Sequence, residues 1–163
     1  MTVSFAPHIW YSENVEEAVR HYVKVIPGSS INRVARLPAE TPSGPPGSVT
    51  VVEFTLAGSP VMAISAGPHH DFNDAISLML ICDTQEEIDS VWSGFIEGGG
   101  TPVQCGWLKD RYGVSWQVTP RCLGEMIADP DRNRAARVTK AMLQMVKFDI
   151  AALRQVHGSS VAD

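Results

Sequence analysis

The chain repeats itself at an interval of seventy residues. "NVEEAVRHYVKVIPG", 14–28, and "TQEEIDSVWSGFIEG", 84–98, agree in kind at the positions that make a helix. Asn14 and Thr84 are N-cap residue types, and Glu17 and Glu87 stand three positions on, which predicts a capping box at each start. Ala18, Tyr22 and Ile26 answer to Ile88, Trp92 and Ile96 along one helical face, and Gly28 and Gly98 offer left-handed stops. A strand-like run precedes each helix, "FAPHIWYS" and "AISLMLICD". Strand-rich segments come after: 30–37, 48–57 and 60–65 behind the first helix, then "TPVQCGWL" and "GVSWQVTP" around "KDRYG" behind the second. A chain built this way is α+β, two βαβββ modules in series. They span about 3–66 and 75–121, with a linker at 67–74 and a helical extension at 122–163.

Composition narrows the partners. In 163 residues there is room for one domain with a core, and 44% hydrophobic content is that of a globular chain. A net charge of −5, without the clustered Lys and Arg that neutralise a phosphate backbone, argues against nucleic acid as a partner. No basic, apolar leader opens the sequence and no apolar run is long enough to span a bilayer, so a cytoplasmic protein away from membranes is expected. Cys82, Cys105 and Cys122 share no metal-ligand spacing.

Alternation assigns the faces. In "VTVVEFTLAG" the residues Thr50, Val52, Phe54 and Leu56 share the helix side, leaving Val51 and Glu53 on the uncovered side. In "GVSWQVTP" Val114, Trp116 and Val118 are inward and Gln117 is outward. Glu53 and Gln117 are therefore expected at equivalent places in the two modules, lining a cleft. A carboxylate among valines costs stability unless it is paired, hydrated or used, which makes Glu53 the first catalytic candidate.

The phrases "YSENVEEAVRHY", "GSVTVVEFTLAG", "AGPHHDFNDAISLMLICDTQEEID" and "QCGWLKDRYGVSWQVTPRCLGEMIADPD" resemble the PhnB-like branch of the vicinal oxygen chelate superfamily, which includes glyoxalase I, extradiol dioxygenases and fosfomycin-resistance proteins. Members of the branch often carry the label 3-demethylubiquinone-9 3-methyltransferase. That activity is not carried over, because no strand–Gly-rich turn–helix unit for S-adenosylmethionine occurs here. The resemblance implies the paired-module fold, a small-molecule ligand and a homodimer.

It also implies a metal centre with ligands from the first and last strand of each module. Glu53 and Gln117 stand as the last-strand donors. The first-strand positions hold Ser77, a weak ligand, and Pro7, which is none. His8 adjoins Pro7, and a one-residue slip would turn it toward Glu53; the phase preferred here has His8 and Trp10 facing the helix. Two readings stay open. Metal-free binding of a small oxygenated or aromatic molecule, with or without sequestration as its purpose, would use Gln117, Trp107, Val51, Met79, Ser77 and, at the cleft mouth, His69. A metal-dependent enzyme would use Glu53 as ligand or base, with Gln117 and His8 beside it.

The remaining conspicuous residues read as structural. His69 and His70 bond locally in a loop, Cys105 packs, Trp92 and Trp116 are core, and Lys109 to Arg111 form a wet loop tip closed by Gly113 at positive φ. In the extension Asp129 caps and Pro130 begins a helix with Ala135, Val138, Met142 and Met145 on one face, followed by a turn or two from Asp149. That face must cover its own domain or a second copy.

Overall fold

The computed structural model describes residues 3–159. The chain divides into two compact units, 1–71 and 72–163.

The first unit runs β1 (His8–Tyr11), α1 (Val15–Val25), β2 (Ser30–Arg36), β3 (Thr50–Leu56) and β4 (Ser59–Ser65). Its sheet has the order β1-β4-β3-β2, with β1 parallel to β4 and the other pairs antiparallel. Helix α1 covers one side through Val15, Ala18, Val19 and Tyr22, against Val52, Phe54, Val61 and Ala63, all buried. The Tyr11 and Tyr22 hydroxyls meet at 2.8 Å inside that layer, so two buried polar groups satisfy one another. The β3–β4 turn places Ala57 at φ 45° and Gly58 at φ 82°, the paired positive angles that suit the twist of a two-residue hairpin.

The second unit repeats this plan with β5 (Leu78–Cys82), α2 (Gln85–Glu97), β6 (Thr101–Pro102), β7 (Trp107–Lys109) and β8 (Ser115–Pro120), in the order β5-β8-β7-β6. Ile88, Val91, Trp92 and Phe95 fill the α2 side. The Phe95 and Trp116 rings lie 4.8 Å apart.

The two helix starts differ. At α2 the capping box is complete, Glu87 N–H donating to Thr84 Oγ1 and Thr84 N–H to Glu87 Oε2, both at 3.2 Å. At α1 Asn14 itself sits at φ 60° and its side chain makes no cap bond. The capping box expected there is absent because the chain turns into the helix through a left-handed residue, a conformation Asn tolerates. At the other ends, Gly28 takes the predicted positive φ of 70°, but Gly98 has φ −72° and Gly99, at 93°, makes the left-handed turn instead. Ile96 is only half-buried, its inward place taken by Phe95.

Three helices come after β8: α3 (Arg121–Ile127), α4 (Arg132–Met142) and α5 (Ile150–Gly158). Asp131, not Asp129, caps α4, accepting from Asn133 N–H at 2.9 Å and Arg134 N–H at 3.2 Å. Asp129 instead accepts from Asp131 N–H at 2.8 Å and meets His157 Nε2 at 2.7 Å. Helix α4 ends before Met145, so Met145 is not on its face; its carbonyl accepts from Cys105 N–H at 2.7 Å. Ala135, Val138, Phe148, Ile150 and Leu153 are buried. The extension thus covers its own unit. Among the described residues, no helix is long and apolar enough to cross a membrane.

Candidate functional site

Helices cover one face of each sheet, and the candidate residues stand on the other. In the first unit the cross-strand register forms a row, His8 opposite Met62, Met62 opposite Glu53, Glu53 opposite Arg33. Residues directly opposite one another share a face. His8 and Trp10 are therefore on the same face as Glu53, which corrects the expectation that they face the helix. The reason is Tyr11. Its hydroxyl finds Tyr22 in the core, and strand parity then turns His8 and Trp10 outward.

Glu53 is paired. Arg33 Nη2 donates to Glu53 Oε1, and that carboxylate raises the Arg33 guanidinium above its ordinary value, the hydrogen bond contributing more than the charge. The Glu53 side chain is also 34% exposed. A carboxylate among valines is accounted for by an arginine and by water. Val51 lies in the next row, opposite Ile64, which is opposite Trp10. Trp10 Nε1 donates to the Gly67 carbonyl at 3.0 Å. The His69 and His70 rings stand edge-on to the indole at 6.1 and 5.1 Å.

In the second unit the corresponding row is Met79 opposite Gln117 and Gln117 opposite Trp107. Leu108 and Trp116, one residue along, are fully buried on the helix side. Gln117 Nε2 donates to Ser77 Oγ at 2.7 Å, so Ser77, just ahead of β5, orients the amide. Met79 is 51% exposed and Ile81, on the same face, 53%. At the end of this face the buried Ser115 donates to Asp74 Oδ1 at 2.7 Å, and Lys109 Nζ approaches the same oxygen at 3.0 Å. These partners, Ser115 first, hold the Asp74 carboxyl below its usual range.

Glu53 and Gln117 are not equivalents. Gln117 is on β8, the last strand of its module, and pairs with first-strand Met79; the residue that pairs with first-strand His8 is Met62 on β4. Burial agrees, since Val61 and Ala63 flank Met62 as Trp116 and Val118 flank Gln117, all four inward. Glu53, one strand further in, corresponds to Trp107. Nor do Pro7 and Ser77 occupy the first strands, which begin at His8 and Leu78.

That register tests the fit of a metal. The first- and last-strand positions hold His8 with Met62 in one unit, and Met79 with Gln117 in the other. Thioethers are soft donors, whereas a divalent ion that chelates oxygen substrates takes imidazole and carboxylate or amide oxygens. Glu53 lies off these strands and on Arg33. Among the described residues no cluster of three or more His, Cys, Asp or Glu could hold an ion. The donor set does not fit a divalent metal.

Two residues not singled out as polar anchors matter structurally. Asp110 is not at a wet tip: it is 5% exposed and accepts from Tyr112 N–H at 2.8 Å, Val114 N–H at 3.0 Å and Trp116 Nε1 at 2.8 Å. The spacing Asp110-x-x-Gly113, with Gly113 at φ 93°, is the turn signal that could have found it. Phe148 packs under Gly106, a contact with no local signal. Cys105 sits at φ 59° in the bend ahead of β7. Burial pushes the Cys82 thiol up to about 11, Glu87 and Asp83 adding to it, which leaves it unreactive as a thiolate.

The family described as 3-demethylubiquinone-9 3-methyltransferase matches residues 3–119. No curated protein sequence matches the chain. Among solved structures, the PhnB protein from Bacillus cereus is 31% identical over 72% of this chain and 99% of its own, with a TM-score of 0.63. The fosfomycin resistance protein FosX from Mesorhizobium loti is 11% identical over 79% of this chain and 99% of its own, TM-score 0.58. A glyoxylase/bleomycin resistance protein/dioxygenase domain from Frankia is 8% identical over 72% and 96%, TM-score 0.51. The latter two similarities are of fold.

Proposed function

Since the chain belongs to the 3-demethylubiquinone-9 3-methyltransferase family, the PhnB-like branch of the vicinal oxygen chelate superfamily, we propose that it binds a small oxygenated or aromatic molecule without a resident metal ion. The binding surface in this reading is the uncovered sheet face of the second unit. The observation that carries it is the row Met79–Gln117–Trp107. An amide oriented by Ser77 stands between a half-exposed thioether and an indole. Apolar walls with one or two placed polar groups are what a small-molecule site is made of. Trp107 offers a π face to a ring, and the Gln117 carbonyl oxygen accepts from a hydroxyl.

The family's name is not the activity proposed. In both units the first strand passes to its helix through Ser12–Asn14 or Asp83–Thr84, with no glycine turn to cradle a nucleotide-like cofactor. A metal-assisted enzyme using Glu53 has one observation in its favour, His8 on the same face. Against it stand Met62 in the intervening position and Arg33 on the carboxylate. Sequestration without turnover, as a resistance protein would perform it, needs only the binding face. A cytoplasmic homodimer completes the reading, and a monomer mass in sedimentation across concentrations would remove that part.

The test is a thermal-unfolding screen with phenols, aromatic hydroxy-ketones and hydroxy acids, each run with chelator and with added divalent ions. A hit whose stabilisation is the same with chelator supports the reading. Stabilisation seen only with a divalent ion would return the metal-dependent enzyme to first place.

A further inference from the structure

We infer that the C-terminal extension serves to hold Trp107 on the outer face of its sheet. The family match ends at residue 119, and the three helices beyond it belong to the second unit. Where the extension turns from α4 to α5, its backbone lies along the bend that precedes β7. Cys105 N–H donates to the Met145 carbonyl at 2.7 Å and Gly106 N–H to the Val146 carbonyl at 2.8 Å. On the other side the Gly106 carbonyl accepts from Val118 N–H at 2.8 Å. The bend is therefore held by β8 on one side and by the 145–148 strap on the other.

The bend needs holding. Cys105 at φ 59° and Gly106 at φ 76° are consecutive left-handed residues, a conformation unfavourable for the cysteine unless its surroundings impose it. Phe148 is 2% exposed beneath them, so close that a Cβ on Gly106 would lie 2.3 Å from its ring. The strap is in turn tied to the start of α2. Gln85 Nε2 donates to the Phe148 carbonyl at 3.0 Å, and Gln85 Oε1 accepts from Ile150 N–H at 2.9 Å. Lys147 Nζ pairs with Asp89 at 2.5 Å.

Trp107 comes directly after the bend. Side chains alternate along a strand, so a bend that relaxed into ordinary extended chain would shift the phase of β7 by a residue and turn Trp107 toward the helix. Phe148 and Gln85 are thus positioning residues for Trp107, acting through the backbone from the opposite side of the sheet. The ligand-binding value of that position rests on the proposed function; the position itself does not.

The test is made on full-length protein without ligand. Labelled with 5-fluorotryptophan, the chain gives a fluorine resonance for each of its 4 tryptophans, and Trp107→Phe assigns one of them. Phe148→Ala is expected to shift or split the Trp107 resonance while Trp10 and Trp116 keep theirs. If Phe148→Ala does not fold, Gln85→Met decides on the same readout, since it leaves the apolar core and removes both side-chain bonds to the strap. An unmoved Trp107 resonance in a folded variant overturns the inference. So does a variant in which Trp116 moves as far as Trp107, because that is general loosening. Neither outcome bears on whether the face binds a ligand.

Discussion

The indole N–H of Trp116 donates to the buried Asp110 carboxylate at 2.8 Å, and this bond joins the β7–β8 turn to the core. The other carboxylate oxygen closes the turn through the Tyr112 and Val114 amides. Asp110→Ala orphans three donors, two of them buried, at about 1–3 kcal/mol for each buried one. Denaturant unfolding will show the loss, and Asp110→Asn, which keeps an acceptor for the turn, will lose less.

Gly106→Ala should be worse than Gly113→Ala. Both glycines have positive φ, which costs a side chain on the order of 1 kcal/mol. At Gly113 the nearest atom to an added Cβ is the Phe72 ring at 3.3 Å; at Gly106 it is Phe148 at 2.3 Å and the Val118 carbonyl at 2.8 Å. Thermal unfolding of the two variants should rank them in that order, with Gly106→Ala further destabilised by about 1–3 kcal/mol of overpacking.

Acid should weaken the Asp129 contact between the start of α4 and the end of α5. The Asp131 backbone N–H, with His157 second, holds this carboxyl below its usual range. A depressed carboxyl pKa contributes stability above the unfolded-state value of about 3.9, and that contribution fades as pH falls through the folded-state value. Asp129→Asn is therefore expected to be less stable than the parent at pH 7, and the difference should shrink toward zero in denaturant melts run progressively below pH 4.

The paired-module plan was legible because it is written locally, in capping residues, turn glycines and period-two alternation. The site was less so. Nothing local says whether Trp10 or Tyr11 enters the core, since both are aromatic; the Tyr22 hydroxyl on another element decides it, and with it the face of His8. The same holds for "TPVQCGWL", which reads as one strand but breaks at Cys105–Gly106 because Phe148, some forty positions away, occupies the space beneath. Alternation alone sets Glu53 beside Gln117 as a matched pair, whereas the register of the strands matches Gln117 to Met62.

Metal should matter little to stability. With His8–Met62 and Met79–Gln117 as the first- and last-strand pairs, and no cluster of three or more His, Cys, Asp or Glu among the described residues, added magnesium, manganese or zinc is expected to bind no tighter to the folded than to the unfolded state, so mass action predicts no stabilisation. Chelator-treated and metal-supplemented protein should unfold at the same temperature, and a metal-dependent rise abolished by Glu53→Ala would reject the metal-free account.

The most direct measurement is a binding titration of the strongest stabiliser from the hydroxy-aromatic panel against the parent, Gln117→Leu and Trp107→Leu, with chelator throughout. The account predicts that each variant remains folded and binds about fivefold more weakly or worse, the loss of one hydrogen bond or one ring contact being worth about 1 kcal/mol or more. Binding by both variants as tight as the parent's would contradict it.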